Sequence, residues 1–194
     1  MRKLGCFAAL VMTLLFLSSC GEPERPLPKP KGYLRIDLPE RNYVKVDTLQ
    51  RYAFETPDYA CITNDPLSPD EKNWINVEFP CFKASIHLTH KEVNGNLAEY
   101  LEDVHNMLTK HLQRANGMND SLIVNPDRRV YGMLTEMDGK GVATPLQFYL
   151  TDSTDNFIRG ALYFNFVTNN DSMQPVSDYL RQDIDRMINT FEWK

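Results

Sequence analysis

Residues 144–166 read TPLQFYLTDSTDNFIRGALYFNF, two strand-like runs joined by a short polar segment. In the first run Leu146, Phe148 and Leu150 alternate with Gln147 and Tyr149, the period of two that places one set of side chains on one face of a sheet. The second run places Ile158, Leu162, Phe164 and Phe166 on one face and Phe157, Arg159, Ala161 and Tyr163 on the other. Because both faces carry apolar side chains, we predict a hairpin in the middle of a sheet that is covered on both sides.

Two main helices are predicted around this hairpin, at about residues 96–116 and 175–190. Asn96 is a candidate N-cap of the first helix and Gly117 follows its end, and its apolar stripe is Leu97, Tyr100, Leu101, Val104, Leu108, His111, Leu112 and Ala115. The apolar face of the second is Val176, Tyr179, Leu180, Ile184, Met187, Ile188 and Phe191. With short extended runs before and between them, these helices predict an α+β fold with a mostly antiparallel sheet. By analogy, the order of elements is similar to the Mog1/PsbP-like α/β/α sandwich.

The beginning of the chain has the pattern of an export signal. Arg2 and Lys3 precede an apolar run over residues 4–17, which is too short for a comfortable membrane span and typical of a signal-peptide core. The sequence LSSC at residues 17–20 then matches the lipobox of bacterial lipoproteins. We therefore predict a lipoprotein signal peptide over 1–19 and lipidation of Cys20. The alternative is an ordinary signal peptide with a cysteine nearby.

Residues 20–32 are predicted to be a tether that carries the lipidated cysteine. Four prolines at positions 23, 26, 28 and 30 exclude a helix or a paired strand there. From Tyr33 the chain alternates Leu34, Ile36 and Leu38 with polar residues, which predicts an edge strand that ends before Pro39. Residues 33–194 are long enough for one globular domain with a real core.

Two cysteines remain once Cys6 is removed with the signal peptide and Cys20 is acylated. These are Cys61 and Cys81, and an even pair in an oxidising compartment predicts a disulfide. Such a bond would stabilise the domain by about 3 kcal/mol in the chain-entropy model. Two free thiols are the alternative.

The charge of the exported part excludes one class of partner. Because two of the 21 basic residues lie in the predicted signal peptide, the remainder carries 19 basic against 26 acidic side chains, a formal net charge of −7. Nucleic-acid binding and polybasic contacts with membranes need clustered Lys and Arg. Neither is expected here.

No residue pattern points to catalysis, a metal or a cofactor. His87 and His90 are three apart on a predicted strand, and His105 and His111 are six apart on the first helix, so neither pair offers converging ligands. Ser153 lacks the Gly-x-Ser-x-Gly elbow and a nearby histidine. We expect a protein with no enzymatic activity and no cofactor.

Two groups of residues are candidates for binding a protein partner. The first is the predicted turn Asp152, Ser153 and Thr154 with Arg159, whose guanidinium lies on an otherwise apolar strand face and needs water, an internal carboxylate or a partner. The alternatives for the first group are an ordinary turn and an internal pairing of Arg159 with Asp152 or Asp155. The second is the basic cluster Lys110, His111 and Arg114, for which favourable placement at a helix C-terminus is the alternative.

Several segments resemble the gliding motility lipoprotein GldD family of Bacteroidetes. They are DST at 152–154, FIRGALYFN at 157–165, PKPKGY at 28–33, RIDLP at 35–39 and TFEWK at 190–194. The resemblance covers the whole predicted mature chain.

The resemblance implies a setting in the cell envelope. It suggests a non-enzymatic component of the machinery for gliding motility and linked type IX protein secretion, anchored by palmitate or another acyl chain to the inner or outer membrane. Its domain would face the periplasm, and its partners would be other envelope proteins. The alternative is a periplasmic lipoprotein that binds a lipid or another small ligand.

Overall fold

A computed structural model describes residues 36–112, 115–139, 142, 144–165 and 170–194. The predicted signal peptide, Cys20 and the tether lie outside these described residues. All described residues belong to the compact unit Tyr33–Lys194. In the described part of the chain, neither helix combines the length and the apolar character that crossing a bilayer requires.

The hairpin over residues 144–166 lies in the middle of a seven-stranded antiparallel sheet, as predicted. Its strands are β8 (Leu146–Thr151) and β9 (Asn156–Phe164), and β9 also pairs with β5 (Ala84–Glu92) along its whole length. The order across the sheet is β3-β4-β5-β9-β8-β7-β6. The remaining strands are β3 (Cys61–Asn64), β4 (Ile75–Phe79), β6 (Gly117–Asn125) and β7 (Val130–Asp138).

One helix covers each face of this sheet, which confirms the predicted α+β class. Leu146, Phe148 and Leu150 join the larger core cluster with α2 (Asn170–Thr190). Phe157 and the half-buried Tyr149 face the other way and pack with α1 (Leu97–Leu112). The alternation along the hairpin therefore separates two hydrophobic layers, and the molecule is an α/β/α sandwich.

A second, small sheet lies beside α2. It consists of β1 (Tyr43–Val46), β2 (Tyr52–Pro57) and β10 (Glu192–Trp193), with β2 in the centre. The strand β10 was not predicted because two residues are too short to show a period. It pairs Glu192 with Ala53 and Trp193 with Tyr52, and so closes the end of the chain onto β2.

Both helices differ in extent from the sequence prediction. The described part of α1 ends at Leu112, and the side chain of Asn96 does not cap it: Asn96 Oδ1 accepts from the amide of Asn94 at 2.9 Å. The helix α2 begins at Asn170, five residues before the predicted start, and includes Pro175. The periodic apolar pattern begins only at Val176, so the first turn carries no sequence signal.

Two further predictions are wrong for the described residues. Residues 36–38, the described part of the predicted edge strand 33–38, form no strand. The expected Cys61–Cys81 disulfide is also absent, because both cysteines are exposed free thiols. Cys61 pairs with Glu78 across the β3–β4 ladder, whereas Cys81 lies three residues farther on in the 3-10 turn Pro80–Phe82. The turn takes Cys81 out of the cross-strand position that a disulfide needs.

Candidate functional site

The predicted turn at Asp152 exists, and its polar groups serve the turn itself. Asp152 Oδ1 accepts from the amides of Thr154, Asp155 and Asn156 at 2.9–3.0 Å, and Oδ2 accepts from Asn156 Nδ2 at 2.8 Å. Asp152 is only 6% exposed. Its carboxylate is therefore a structural acceptor and is not presented to a partner.

These hydrogen bonds also set the acidity of Asp152. Burial alone would raise its pKa, but the donors from the side chain and backbone of Asn156 and from the amides of Thr154 and Asp155 outweigh burial and lower the pKa to about 2. The carboxylate is ionised over the whole physiological range.

The rest of the turn is exposed. Ser153 has a φ of 70°, in the left-handed region. Thr154 Oγ1 accepts from Arg129 Nη2 at 2.8 Å and donates to Asp155 Oδ2 at 3.0 Å. Ser153 and Thr154 are thus available at the surface, with Thr154 already engaged by an arginine of this chain.

Arg159 does not join the turn to form one site. It lies within β9 between Thr89 of β5 and Tyr149 of β8. Its Nη2 donates to Gln147 Oε1 at 2.5 Å, so the predicted pairing with Asp152 or Asp155 is wrong. Gln147 in turn donates to Thr144 Oγ1 at 2.7 Å. Arg159 can reach Gln147 because Gln147 lies two residues from Tyr149, the residue opposite Arg159, and therefore on the same face of the sheet.

The guanidinium of Arg159 borders a cleft between the sheet and α1, which we call the Arg159 cleft. Its volume is about 210 Å³, and its lining is Trp74, Thr89, Lys91, Tyr100, Asp103, Val104, Met107, Phe157 and Arg159. Arg159 Nε is buried and has no hydrogen-bond partner among the described residues. Lys91 Nζ lies 4.7 Å from the centre of the Tyr100 ring. The cleft thus combines aromatic walls with two cationic side chains and one carboxylate, that of Asp103.

Its lining is held in place from several sides. Trp74 Nε1 donates to the carbonyl of His90 at 2.6 Å, and Tyr100 OH donates to the carbonyl of Glu92 at 3.2 Å. The Phe157 ring lies 5.4 Å from that of Tyr100. The cations of the cleft can bind a carboxylate, and its aromatic rings can pack against an apolar group beside that carboxylate.

The basic cluster of α1 is only partly described. Lys110 is exposed on the last turn, one turn beyond Met107 of the Arg159 cleft. Arg114 and the side chain of His111 lie outside what the structure describes. A partner contact through these three residues stays a prediction.

His87 and His90, two of the described histidines, have structural contacts. His90 Nε2 donates to Asn156 Oδ1 at 2.9 Å, and burial lowers its pKa. His87 lies on the other face and packs 4.7 Å from the Tyr163 ring. Among the described residues, no three His, Cys, Asp or Glu side chains converge as metal ligands would.

Sequence reasoning missed a buried polar network on the opposite side of the molecule. Asp183 of α2 is 1% exposed and accepts from Arg41 Nε at 3.0 Å, from Tyr43 OH at 2.8 Å and from Tyr59 OH. Arg41 also donates to the carbonyl of Tyr179 at 2.9 Å. The network fastens the segment before β1 to α2.

The position of Asp183 in the sequence could have revealed this network, because helical spacing places it on the apolar face of α2, three residues after Leu180 and four before Met187. Burial and the hydrogen bond to Asp183 raise the pKa of Tyr43 to about 12, and the same causes raise that of Tyr59. Both phenols remain donors at physiological pH. The role of this network is structural anchoring.

Comparison with known proteins identifies one family. The model of a family described as gliding motility lipoprotein GldD matches residues 23–193. A solution structure of cyanobacterial PsbP (CyanoP) from Synechocystis sp. PCC 6803 is similar, with a TM-score of 0.47 and 9% identity, over 83% of this chain and 98% of that one. A search of curated proteins returned no match.

Proposed function

Because the chain belongs to the gliding motility lipoprotein GldD family, we propose that it is a lipid-anchored, non-enzymatic binding component of the envelope machinery for gliding and linked type IX secretion. The observation that carries this proposal is the family match over residues 23–193. The match extends through the whole sandwich, and we therefore place the partner contacts on the described domain.

Anchoring is proposed through Cys20. The basic residues Arg2 and Lys3, the apolar run and the lipobox cysteine follow one another in the order that a lipoprotein signal requires. More than one acyl chain makes such an anchor stable. The domain would then work at a membrane surface facing the periplasm.

A binding role is also supported by the state of the candidate reactive groups. Asp152, the acid nearest to Ser153, is fully engaged by the turn that contains them both. His90 is held by Asn156. A hydrolase would need a serine, a base and an acid that converge.

Within this role, the Arg159 cleft is the proposed contact site. It is smaller than the roughly 300 Å³ at which pockets for drug-sized ligands begin. A carboxylate side chain of a partner protein fits its size and charge better than a whole lipid does. The guanidinium of Arg159, which Gln147 engages only at Nη2, would gain a charged acceptor from the partner.

A role as a ligand-binding lipoprotein is the second candidate. The aromatic lining and the two cations of the same cleft, which outnumber its one carboxylate at Asp103, favour a small anion with an apolar part. Native mass spectrometry of the protein purified without detergent separates the two candidates. A binding component of the machinery should carry no small molecule, whereas a ligand-binding protein should retain one.

Complementation of a deletion strain tests the proposed site. Arg159→Met keeps the aliphatic stem and removes the guanidinium, so the cleft loses one of its two cations. The free energy of unfolding should fall by about 1 kcal/mol, because Gln147 loses one donor. We expect a stable, membrane-anchored protein that fails to restore gliding or secretion.

Arg186→Met is the matched control. Arg186 is an exposed arginine of α2 that pairs with Glu55 at 2.6 Å, away from the cleft, so its loss should leave motility intact. Full complementation by Arg159→Met would show that the Arg159 cleft is not the contact site. Loss of motility in both variants would show that the assay responds to a general loss of surface charge.

A further inference from the structure

The two edges of the large sheet are protected to different degrees. At one edge, β3 is only four residues long, which is one way in which natural proteins discourage edge pairing. At the other edge, β6 runs over nine residues without an internal proline or lysine. Its one charged residue, Asp120, accepts from Thr135 of the next strand at 2.6 Å. The edge at β6 therefore lacks the usual protection.

The backbone of β7 shows which way the amides of β6 point. The amide of Met137 donates to the carbonyl of Pro145 at 2.8 Å, in register with the β7–β8 ladder. In an antiparallel sheet, successive residues direct their backbone groups to opposite sides. The odd-numbered residues of β7 thus bond to β8, and the even-numbered ones bond to β6.

The partners of these even-numbered residues include Ser121 and Ile123. The alternate residues Leu122 and Val124 therefore direct their N–H and C=O groups away from β7. Among the described residues, β6 pairs with β7 alone. The outer edge of β6 thus presents a row of backbone donors and acceptors with the spacing of a strand.

The side chains of the same residues are apolar and exposed. Leu122 is 79% exposed and Val124 is 58% exposed. Exposed apolar residues on an edge strand favour association, and natural proteins tend to avoid them. Here they coincide with the outward backbone groups.

A groove of about 290 Å³ runs along the other face of β6, between this strand and α2. Ile123, Leu134 and Ile188 provide its apolar part, and its polar part consists of Ser121, Asn125, Arg181, Asp185 and Asn189. A strand added beside β6 would direct alternate side chains into this groove, because side chains alternate between the two faces of a sheet. The edge and the groove together form one surface, which we call the β6 edge groove.

The one cation that lines the β6 edge groove is already paired. Arg181 pairs with both Glu136 and Asp185. Arg181 therefore asks for no carboxylate from a segment that binds here. The affinity of an uncharged segment comes from backbone pairing and from contact with the apolar part of the groove.

Two other occupants fit the observations less well. The first is a second copy of this chain, paired through its own β6. Its Ile123 would then have to fill the groove of the first copy, but Ile123 packs against the core of the chain to which it belongs. The second is the first described segment of this chain. That segment lies on another side of α2, because Arg41 binds Asp183, which is about 200° around the helix axis from Arg181. A segment of a separate polypeptide is the occupant that can use both the outward backbone groups of β6 and the groove beside α2.

We propose that β6 is a strand-addition site for an uncharged, extended segment of a partner protein that carries apolar side chains at alternate positions. The segment pairs with the outward backbone groups of Leu122 and Val124 and fills the groove beside α2. This surface is separate from the Arg159 cleft and does not depend on it.

The test uses the mature lipidated chain in detergent and displayed libraries of ten-residue peptides. Leu122→Pro removes one outward N–H and leaves the bonds to β7, because proline is tolerated on an edge strand where its nitrogen faces outward. Leu122→Thr is the matched control, since it keeps the backbone N–H and removes the leucine side chain. Val124→Pro repeats the test at the next outward amide.

Selected peptides should show an apolar residue at every second position. Their binding should weaken at least about tenfold with either proline variant and less than about threefold with Leu122→Thr. Hydrogen exchange at the amides of Leu122 and Val124 should slow when peptide binds. Those of Ser121 and Ile123 should be protected with or without peptide.

Three outcomes would overturn the proposal. Peptides that bind both proline variants as well as the wild type would place binding elsewhere. A dimer that dissociates with Leu122→Pro would make a second copy the occupant. Protection of Leu122 and Val124 in the free monomer would show that the chain covers its own edge.

Discussion

Asp183 shows how one buried carboxylate can fix a segment to a helix. It accepts from the Arg41 guanidinium and from the hydroxyls of Tyr43 and Tyr59, so its lone pairs are well satisfied. Removing one partner from such a buried network leaves the remaining groups unsatisfied, which is the strongly destabilising case. The network therefore makes a sharp prediction about stability.

Asp183→Ala should lower the free energy of unfolding by about 3 kcal/mol, measured by chemical denaturation. Asp178→Ala on the same helix is the control, because Asp178 is exposed and bonds only to Gln174 at 2.8 Å among the contacts described. It should change stability by less than about 0.5 kcal/mol. Equal effects of the two substitutions would show that the Asp183 network contributes nothing specific.

The turn at Asp152 predicts a dependence of stability on pH. Its pKa of about 2 in the folded protein lies below the unfolded value near 3.9. The resulting stability is fully present above pH 4 and is lost as pH falls from about 4 to about 2. The contribution should be about 2 kcal/mol.

Asp152→Asn should remove this contribution, because an amide would point a donor at Asn156 Nδ2. The difference in unfolding free energy between wild type and variant should shrink as pH falls from 4 to 2. Ser153→Ala alters the same turn without removing a titrating group, so its difference should stay constant. A constant difference for Asp152→Asn as well would contradict the lowered pKa.

At the scale of elements, close packing within the sheet makes two glycines very unequal. A Cβ on Gly132 of β7 would lie 1.9 Å from the carbonyl oxygen of Tyr149 on β8, and this backbone atom cannot move aside alone. A Cβ on Gly117 would meet no described atom within 4 Å. The difference arises because Gly132 lies within β7, between two neighbouring strands, whereas Gly117 is the first residue of the edge strand β6.

Gly132→Ala should therefore destabilise the protein by about 3 kcal/mol, a cost typical of overpacking. Gly117→Ala should stay within about 0.5 kcal/mol of the wild type. Thermal unfolding of both variants checks this prediction. A near-neutral Gly132→Ala would mean that β7 and β8 are farther apart than the structure has them.

Elements with strong periodicity could be predicted from the sequence, and elements without it could not. The hairpin β8–β9 carries apolar residues on both faces over many positions, so its position in the centre of the sheet could be predicted. By contrast, β10 is two residues long, and the first turn of α2 precedes the apolar stripe at Val176. Arg159 was identified as unusual, but its partner Gln147 was missed because an amide offers no charge signal.

At the scale of the whole molecule, the account requires a membrane anchor. Cys20→Ala should release the protein from the membrane fraction and abolish labelling with fatty acid, because no thiol remains for the acyl chain. Cys61→Ala is a matched control, since Cys61 is exposed and free in the folded domain. Unchanged membrane association and labelling of Cys20→Ala would contradict a lipoprotein anchor at this residue.

The central claim is that the anchored domain binds an envelope protein through the Arg159 cleft. A photo-crosslinking amino acid at Met107, which lines the cleft and is 42% exposed, tests it most directly in intact motile cells. The control position is Leu67, in a loop and 88% exposed. The account predicts one discrete protein adduct from position 107, lost with Arg159→Met and absent from position 67. A motile strain with no adduct from position 107, or with the same adduct from both positions, would contradict it.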